Sequence, residues 1–137
     1  MSEVFKKYIN RRLLRGENLN AKNRVGLTTK IDESDPYRRI IKLSYRGEEV
    51  GYAELLPDGE NQYIANYFYI FNDKRGNDFG SNLVDAVNNF LDERGASAKL
   101  ANHIANPFKM GMYKRHGWKS RIIGGQGWLY YTPKKGK

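Results

Sequence analysis

Apolar residues first recur at helical spacing. Val4, Phe5, Tyr8, Ile9 and Leu13 share one face, with Lys6, Lys7, Arg11 and Arg15 around them. This predicts a basic amphipathic helix over residues 3–15, stopped at Gly16. A polar, Asn-rich loop follows at 17–23. The apolar spacing then falls to two. Val25, Leu27, Thr29 and Ile31 predict a strand over 24–31, and the cluster DESDP at 32–36 a turn. Two further strands, Ile40–Tyr45 and Val50–Leu56, flank a hairpin turn at Arg46–Glu49. After the turn at Pro57-Asp58-Gly59, Gln62–Phe71 reads as an unusually aromatic strand.

The period returns to helical after residue 79. Leu83, Val84, Val87, Phe90 and Leu91 mark the buried face of a helix over 80–94, ended by Gly95. Ala98–Ala101 is a short strand reached by a helical crossover, which predicts that it lies parallel to the strand before the helix. Asn106-Pro107 opens another helix that Gly117 ends. Trp118–Ile123, a Gly124-Gly125 turn and Gln126–Thr132 form a closing hairpin. The tail PKKGK from 133 is expected to be flexible. No linker or internal repeat divides the 137 residues, so a single domain over 1–137 is expected.

Charge adds a second layer. Residues 1–46 carry a net +7, residues 47–98 a net −7 and residues 99–137 a net +9. Basic ends of this kind suit a polyanionic ligand, a nucleic acid or an acidic protein, as well as a solvated surface. No apolar run of membrane-spanning length occurs, so no membrane association is expected. Cysteine is absent, which excludes thiol catalysis and disulfides and fits a cytoplasmic setting. Two histidines, His103 and His116, make a zinc site improbable. His116, before the C-terminal glycine of its helix, reads as a complement to the helix dipole.

The candidate chemistry gathers in FYIFNDKRGNDFGSNLVDAVNNFL, residues 68–91. A strand enters a basic, glycine-containing loop that opens directly into a helix. Free first-turn amides and the positive end of the helix dipole make that junction an anion site.

Two motifs in this order of elements resemble the GNAT superfamily of acetyl-CoA-dependent N-acetyltransferases. One is the pyrophosphate loop Q/R-x-x-G-x-G/A, here Arg75-Gly76-Asn77-Asp78-Phe79-Gly80 followed by Ser81. The other is N-x6-Y-x3-G-F/W, here Asn106, Tyr113, Gly117 and Trp118. The resemblance covers roughly residues 25–132. It implies a mixed α/β fold, with a mostly antiparallel central sheet and helices on both faces. It also implies acetyl-CoA as co-substrate and an amine acceptor, such as a protein lysine, an N-terminus or a small amine.

Carried onto this chain, the resemblance gives Arg75 through Ser81 to the pyrophosphate. Ile70 and Phe71 go to backbone pairing with the pantetheine arm, beside a strand that splays from its parallel neighbour. Asn106 bonds the pantetheine or the helix start. Tyr113 protonates the departing thiolate. Lys74, Arg75, Lys109, Lys114 and Arg115 are available to the phosphates. The strand before the loop has no carboxylate, which leaves Glu54 as the candidate base, with Asn66 or backbone groups ending a water chain. A solvent-facing Glu54 and a merely packed Tyr113 are the structural alternatives. The aromatics Tyr63, Tyr67, Phe68 and Tyr69 read as sheet packing.

The loop departs from the family at Asp78, where glycine is usual. Asp78 either stands as a carboxylate at the mouth of the anion site or caps the helix with its own side chain. The second case predicts a catalytically inactive binding module of the same fold.

Overall fold

In a computed structural model of the chain, the residues described are 24–101 and 110–134. The expected helix over 3–15, the start of the helix at Asn106 and the tail beyond 134 lie outside them, as do His103 and Lys109.

Alternation produced the strands. β1 (Leu27–Asp32), β2 (Arg39–Tyr45), β3 (Glu48–Pro57) and β4 (Gln62–Ile70) form an antiparallel meander. β1 begins later than expected, because Val25 and Gly26 lie in a turn in which Leu27 N–H donates to the Arg24 carbonyl. The turn at 32–36 is built by Asp32, whose carboxylate accepts from the Ser34 amide and hydroxyl at 2.9 and 2.7 Å. Helix α1 (Phe79–Arg94) then crosses over to β5 (Ser97–Ala101). A short helix α2 (Met110–Arg115) leads to the hairpin β6 (Lys119–Ile123) and β7 (Gln126–Tyr131). The sheet order is β1-β2-β3-β4-β5-β7-β6, with β4–β5 the one parallel pair among the described strands.

Register assigns the faces. Ile41, Ala53 and Phe68 lie across from one another, as do Leu43, Gly51 and Ile70. This face meets α1 through Leu83, Val84, Val87, Phe90 and Leu91, all nearly or fully buried. Each such aliphatic side chain contributes roughly 1.5–3 kcal/mol relative to exposure. Both described helices pack on this face. Tyr63 meets Phe90 of α1, and Phe68 meets Tyr113 of α2.

Two irregularities shape the middle of the sheet. Glu54 lies opposite Tyr67 but Leu55 opposite Ala65, so Asn66 is an unpaired bulge residue. β4 and β5 pair only at Gln62–Ser97, Tyr63–Ala98 and Ile64–Lys99. From Ala65 onward β4 keeps β3 on one side and has none of the described strands on the other. The sheet splays open there, as the resemblance implied, and the opening ends at the loop before α1.

Candidate active site

Hydrogen-bond parity decides which main-chain groups reach this opening. Phe71 N–H donates to the Val50 carbonyl at 3.0 Å, so the groups of Phe71 and Tyr69 turn towards β3. Those of Phe68 and Ile70 therefore turn towards the opening. The Phe71 carbonyl is also taken, by Lys74 N–H at 2.8 Å. Phe71 is thus not a free edge position: the ladder to β3 and the 3-10 turn at Asn72–Lys74 consume its groups. Phe68 replaces it. Ile70 does face the opening, where Arg75 Nε donates to its carbonyl at 2.9 Å.

The loop is held from within and from outside. Asn77 Nδ2 donates to the Lys74 carbonyl at 3.1 Å. Arg24 Nη1 donates to the Asn77 carbonyl and contacts Asn82 Oδ1 at 3.4 Å. The Arg24 guanidinium also lies 4.5 Å from the centre of the Phe79 ring and 4.8 Å from that of Tyr45. Arg24 thus fixes a cation at the junction of loop and helix. It stands outside the loop motif, just after the Asn-rich stretch, and nothing in the sequence pattern marks it. Lys74 turns away from the junction to Glu48, 2.9 Å distant, and this partner raises its pKa. Lys114 and Arg115 are exposed on α2.

Asp78 does not cap the helix. It sits in the left-handed region, at φ 64 and ψ 15, with no side-chain bond to a first-turn amide. The self-capping alternative is therefore overturned. At this φ the carboxylate is not directed onto the amides that a cap of extended backbone would meet. Asp78 has the backbone shape of the glycine it replaces, at a local cost of about 1–2 kcal/mol. Gly76 has φ +85 and open space where a Cβ would stand. Gly80 is an ordinary helical residue facing Met112, while Phe79 is buried against Tyr45. Among the described residues no side chain caps the first-turn amides of Phe79, Gly80 and Ser81. An uncapped helix start beside a glycine-opened loop and a fixed Arg24 fits a pyrophosphate.

Tyr113 is 4% exposed, its ring 5.2 Å from Phe68 and 6.1 Å from Trp118. It therefore stands beside the strand whose main chain borders the opening. Burial pushes its phenol up to about 12, which keeps the proton in place at neutral pH. Glu54 is 5% exposed, so the solvent-facing alternative fails. Its carboxylate accepts from Asn66 Nδ2 at 2.6 Å and Arg38 Nη1 at 3.0 Å. The bulge thus brings the two residues of the expected proton path into contact. Around them lie Tyr52, Tyr67, Tyr69 and Phe71, with ring centres about 6 Å apart. These rings touch one another on the face away from α1, where Tyr67 and Tyr69 are exposed.

His116, assigned above to the helix dipole, has a larger part. Its Nε2 is 2.6 Å from Ser81 Oγ and its Nδ1 is 3.0 Å from Asp85 Oδ1. Ser81 and Asp85 share a helix face one turn apart, but their link to a residue 31 or more positions away is invisible to pattern reading.

No curated protein sequence matches the chain at a significant level. Solved structures do match in fold. One is a PaiA N-acetyltransferase from Thermoplasma acidophilum in complex with coenzyme A, 16% identical with TM-score 0.55 over 68% of this chain and 59% of that one. Another is the ribosomal-protein-S18-alanine N-acetyltransferase of Escherichia coli, 12% identical with TM-score 0.62 over 77% and 76%. A third is a Bacillus subtilis acetyltransferase in complex with CoA, 12% identical with TM-score 0.62 over 79% and 99%. A family model described as acetyltransferase (GNAT) family matches residues 9–118. With the splayed sheet and the uncapped loop–helix junction, this match places the chain in the GNAT acetyltransferase family, whose co-substrate is acetyl-CoA.

Proposed function

We propose that this chain is an N-acetyltransferase that moves an acetyl group from acetyl-CoA to a primary amine by direct attack in a ternary complex. The observation that carries the reading is the opening between β4 and β5, continuous with the uncapped start of α1. Acetyl-CoA supplies the acyl group already activated as a thioester. The amides of Gly76–Ser81 and Arg24 hold the phosphates, and the Phe68 and Ile70 edge orients the arm. A protonated amine must lose a proton before its nitrogen forms the new bond. Glu54, steadied by Asn66, takes that proton directly or through one water. The C–S bond then breaks, and Tyr113 gives its proton to the leaving sulfur. No cysteine is available to carry the acetyl group, which favours direct attack.

Isothermal titration with acetyl-CoA tests the reading. Binding with a matching rise in Tm supports it, and no heat with no thermal protection refutes it.

A second reading is favoured by one observation. Asp78 adds a carboxylate to the loop while Lys74 is engaged by Glu48. Weak cofactor binding would leave a binding module that uses its basic ends to hold a nucleic acid or an acidic protein. Its binding would weaken steeply with salt.

A further inference from the structure

We propose that phosphate binding at the head of α1 is coupled to proton uptake by His116, with Ser81 touching the ligand and His116 and Asp85 acting as positioning residues. The inference rests on the reading of residues 75–81 as a coenzyme A site. Ser81 is the third residue of α1, so its amide is one of the three first-turn donors and its hydroxyl stands beside them. That hydroxyl is not free. It lies 2.6 Å from His116 Nε2, while His116 Nδ1 lies 3.0 Å from Asp85 Oδ1. The His116 and Asp85 side chains are 10% and 9% exposed. The residue is clamped further back. Asn88 Nδ2 donates to the His116 carbonyl at 2.8 Å, and Trp118 Nε1 donates to Asn88 Oδ1 at 2.9 Å.

Counting hydrogens gives the coupling. Each of the two close contacts needs one hydrogen between its heavy atoms. With a neutral imidazole, Nδ1–H donates to Asp85 and the Ser81 O–H donates to Nε2. Ser81 then presents only lone pairs to an incoming phosphate, which is acceptor-only and repelled by them. For Ser81 to donate to the phosphate, its hydrogen must turn outward. Two lone pairs would then face each other at 2.6 Å, unless Nε2 gains a hydrogen. The third hydrogen is a proton from solvent, and the product is an imidazolium that donates on both sides. A cleft of about 350 Å³ lined by Asp85, Asp92, Arg115, His116 and Lys134 leads water to this point.

Charged groups of both signs face the ring. Asp85 Oδ1 is in contact, and the buried Oδ2 has no hydrogen-bond partner among the described residues. Asp92 lines the same cleft but is engaged by the Tyr131 hydroxyl at 2.8 Å and the Lys134 amide at 2.9 Å. Arg115 and Lys134 oppose the new charge from the cleft wall, with no direct bond to the ring among the described residues. The ligand's own negative charge adds to the side of Asp85.

The test uses dephospho-CoA, which keeps the pyrophosphate and lacks the monoester that titrates near neutrality. Isothermal titration in buffers of different ionisation heat counts the protons taken up. The full chain is expected to take up a proton on binding, with affinity falling by up to about tenfold per pH unit over the range in which uptake occurs. His116→Gln keeps a donor for Ser81 and should bind with no uptake and a flat pH profile. Ser81→Ala leaves the His116–Asp85 pair intact, and should lose both affinity and uptake. It carries the test if His116→Gln fails to fold. Binding by the full chain without proton uptake, or uptake surviving in Ser81→Ala, overturns the inference alone. No binding of either dephospho-CoA or acetyl-CoA overturns the coenzyme A reading and this inference with it.

Discussion

Asn66 has no partner on β3, and its side-chain nitrogen lies 2.6 Å from Glu54 Oε1. The extra residue and the buried carboxylate form one device. The bulge turns Asn66 onto the face where Glu54 stands, at the level where β4 leaves β5. Glu54→Gln keeps the shape and removes the proton acceptor. It should lower kcat/KM for the amine by about 10²-fold, the low end for a general base, with little change in acetyl-CoA affinity. Thiol release under saturating acetyl-CoA measures this, and retention of activity within twofold would remove Glu54 from the mechanism.

Tyr113→Phe should slow turnover by a factor of about 10–100 while leaving acetyl-CoA binding in place. Because burial raises the phenol to about 12, Tyr113 should impose no alkaline limb on kcat below about pH 10. The sign for stability follows from the same shift. The folded state holds the proton more tightly than the unfolded one, so Tyr113 leaves stability unchanged below pH 10. Stability should then fall as pH rises from about 10 to 12. The urea midpoint of the native chain should fall relative to that of Tyr113→Phe across that range if the tyrosine is responsible.

Asp78→Gly should tighten acetyl-CoA binding by about tenfold and raise stability by about 1 kcal/mol. The left-handed backbone at φ 64 costs aspartate more than glycine, and the carboxylate repels phosphate. Titration calorimetry and a melting curve read the two effects separately. Unchanged affinity would show that the carboxylate faces away from the ligand.

Gly51→Ala should destabilise the chain by about 2–3 kcal/mol. A Cβ at Gly51 would stand 2.3 Å from the Tyr69 carbonyl oxygen and 2.7 Å from Ile70 Cδ1. Relief requires β4 to move away from β3, at the residues that border the opening. Activity should therefore fall further than the folded fraction does, and the urea midpoint gives that fraction.

Much of this was legible in the chain. Apolar alternation placed the strands of the meander, because β2, β3 and β4 each have one face on α1 and one away from it. Leu83 to Leu91 placed the helix within one residue of its start. Glycines ended elements where the chain needed positive φ, as at Gly95. What escaped reading has a common cause. The bulge is hidden because Tyr67, Phe68 and Tyr69 are all aromatic, so apolarity does not reveal which side each faces. Phe71 was misplaced by the same parity, which only the bond to Val50 settles. Arg24 and the Ser81–His116–Asp85 chain join residues more than 30 positions apart, and local spacing carries no trace of such contacts. The capping alternative for Asp78 stayed open because composition gives the residue type but not its φ.

Three residue pairs are all that tie β4 to β5 along the sheet. The fold is therefore two half-sheets, β1–β4 and β5-β7-β6, joined at one end like the covers of a book. A ligand arm laid against the Phe68 and Ile70 edge would supply missing rungs to this ladder. Cofactor binding would then be registered as slower hydrogen exchange in both covers, including the β6–β7 hairpin that the ligand never touches.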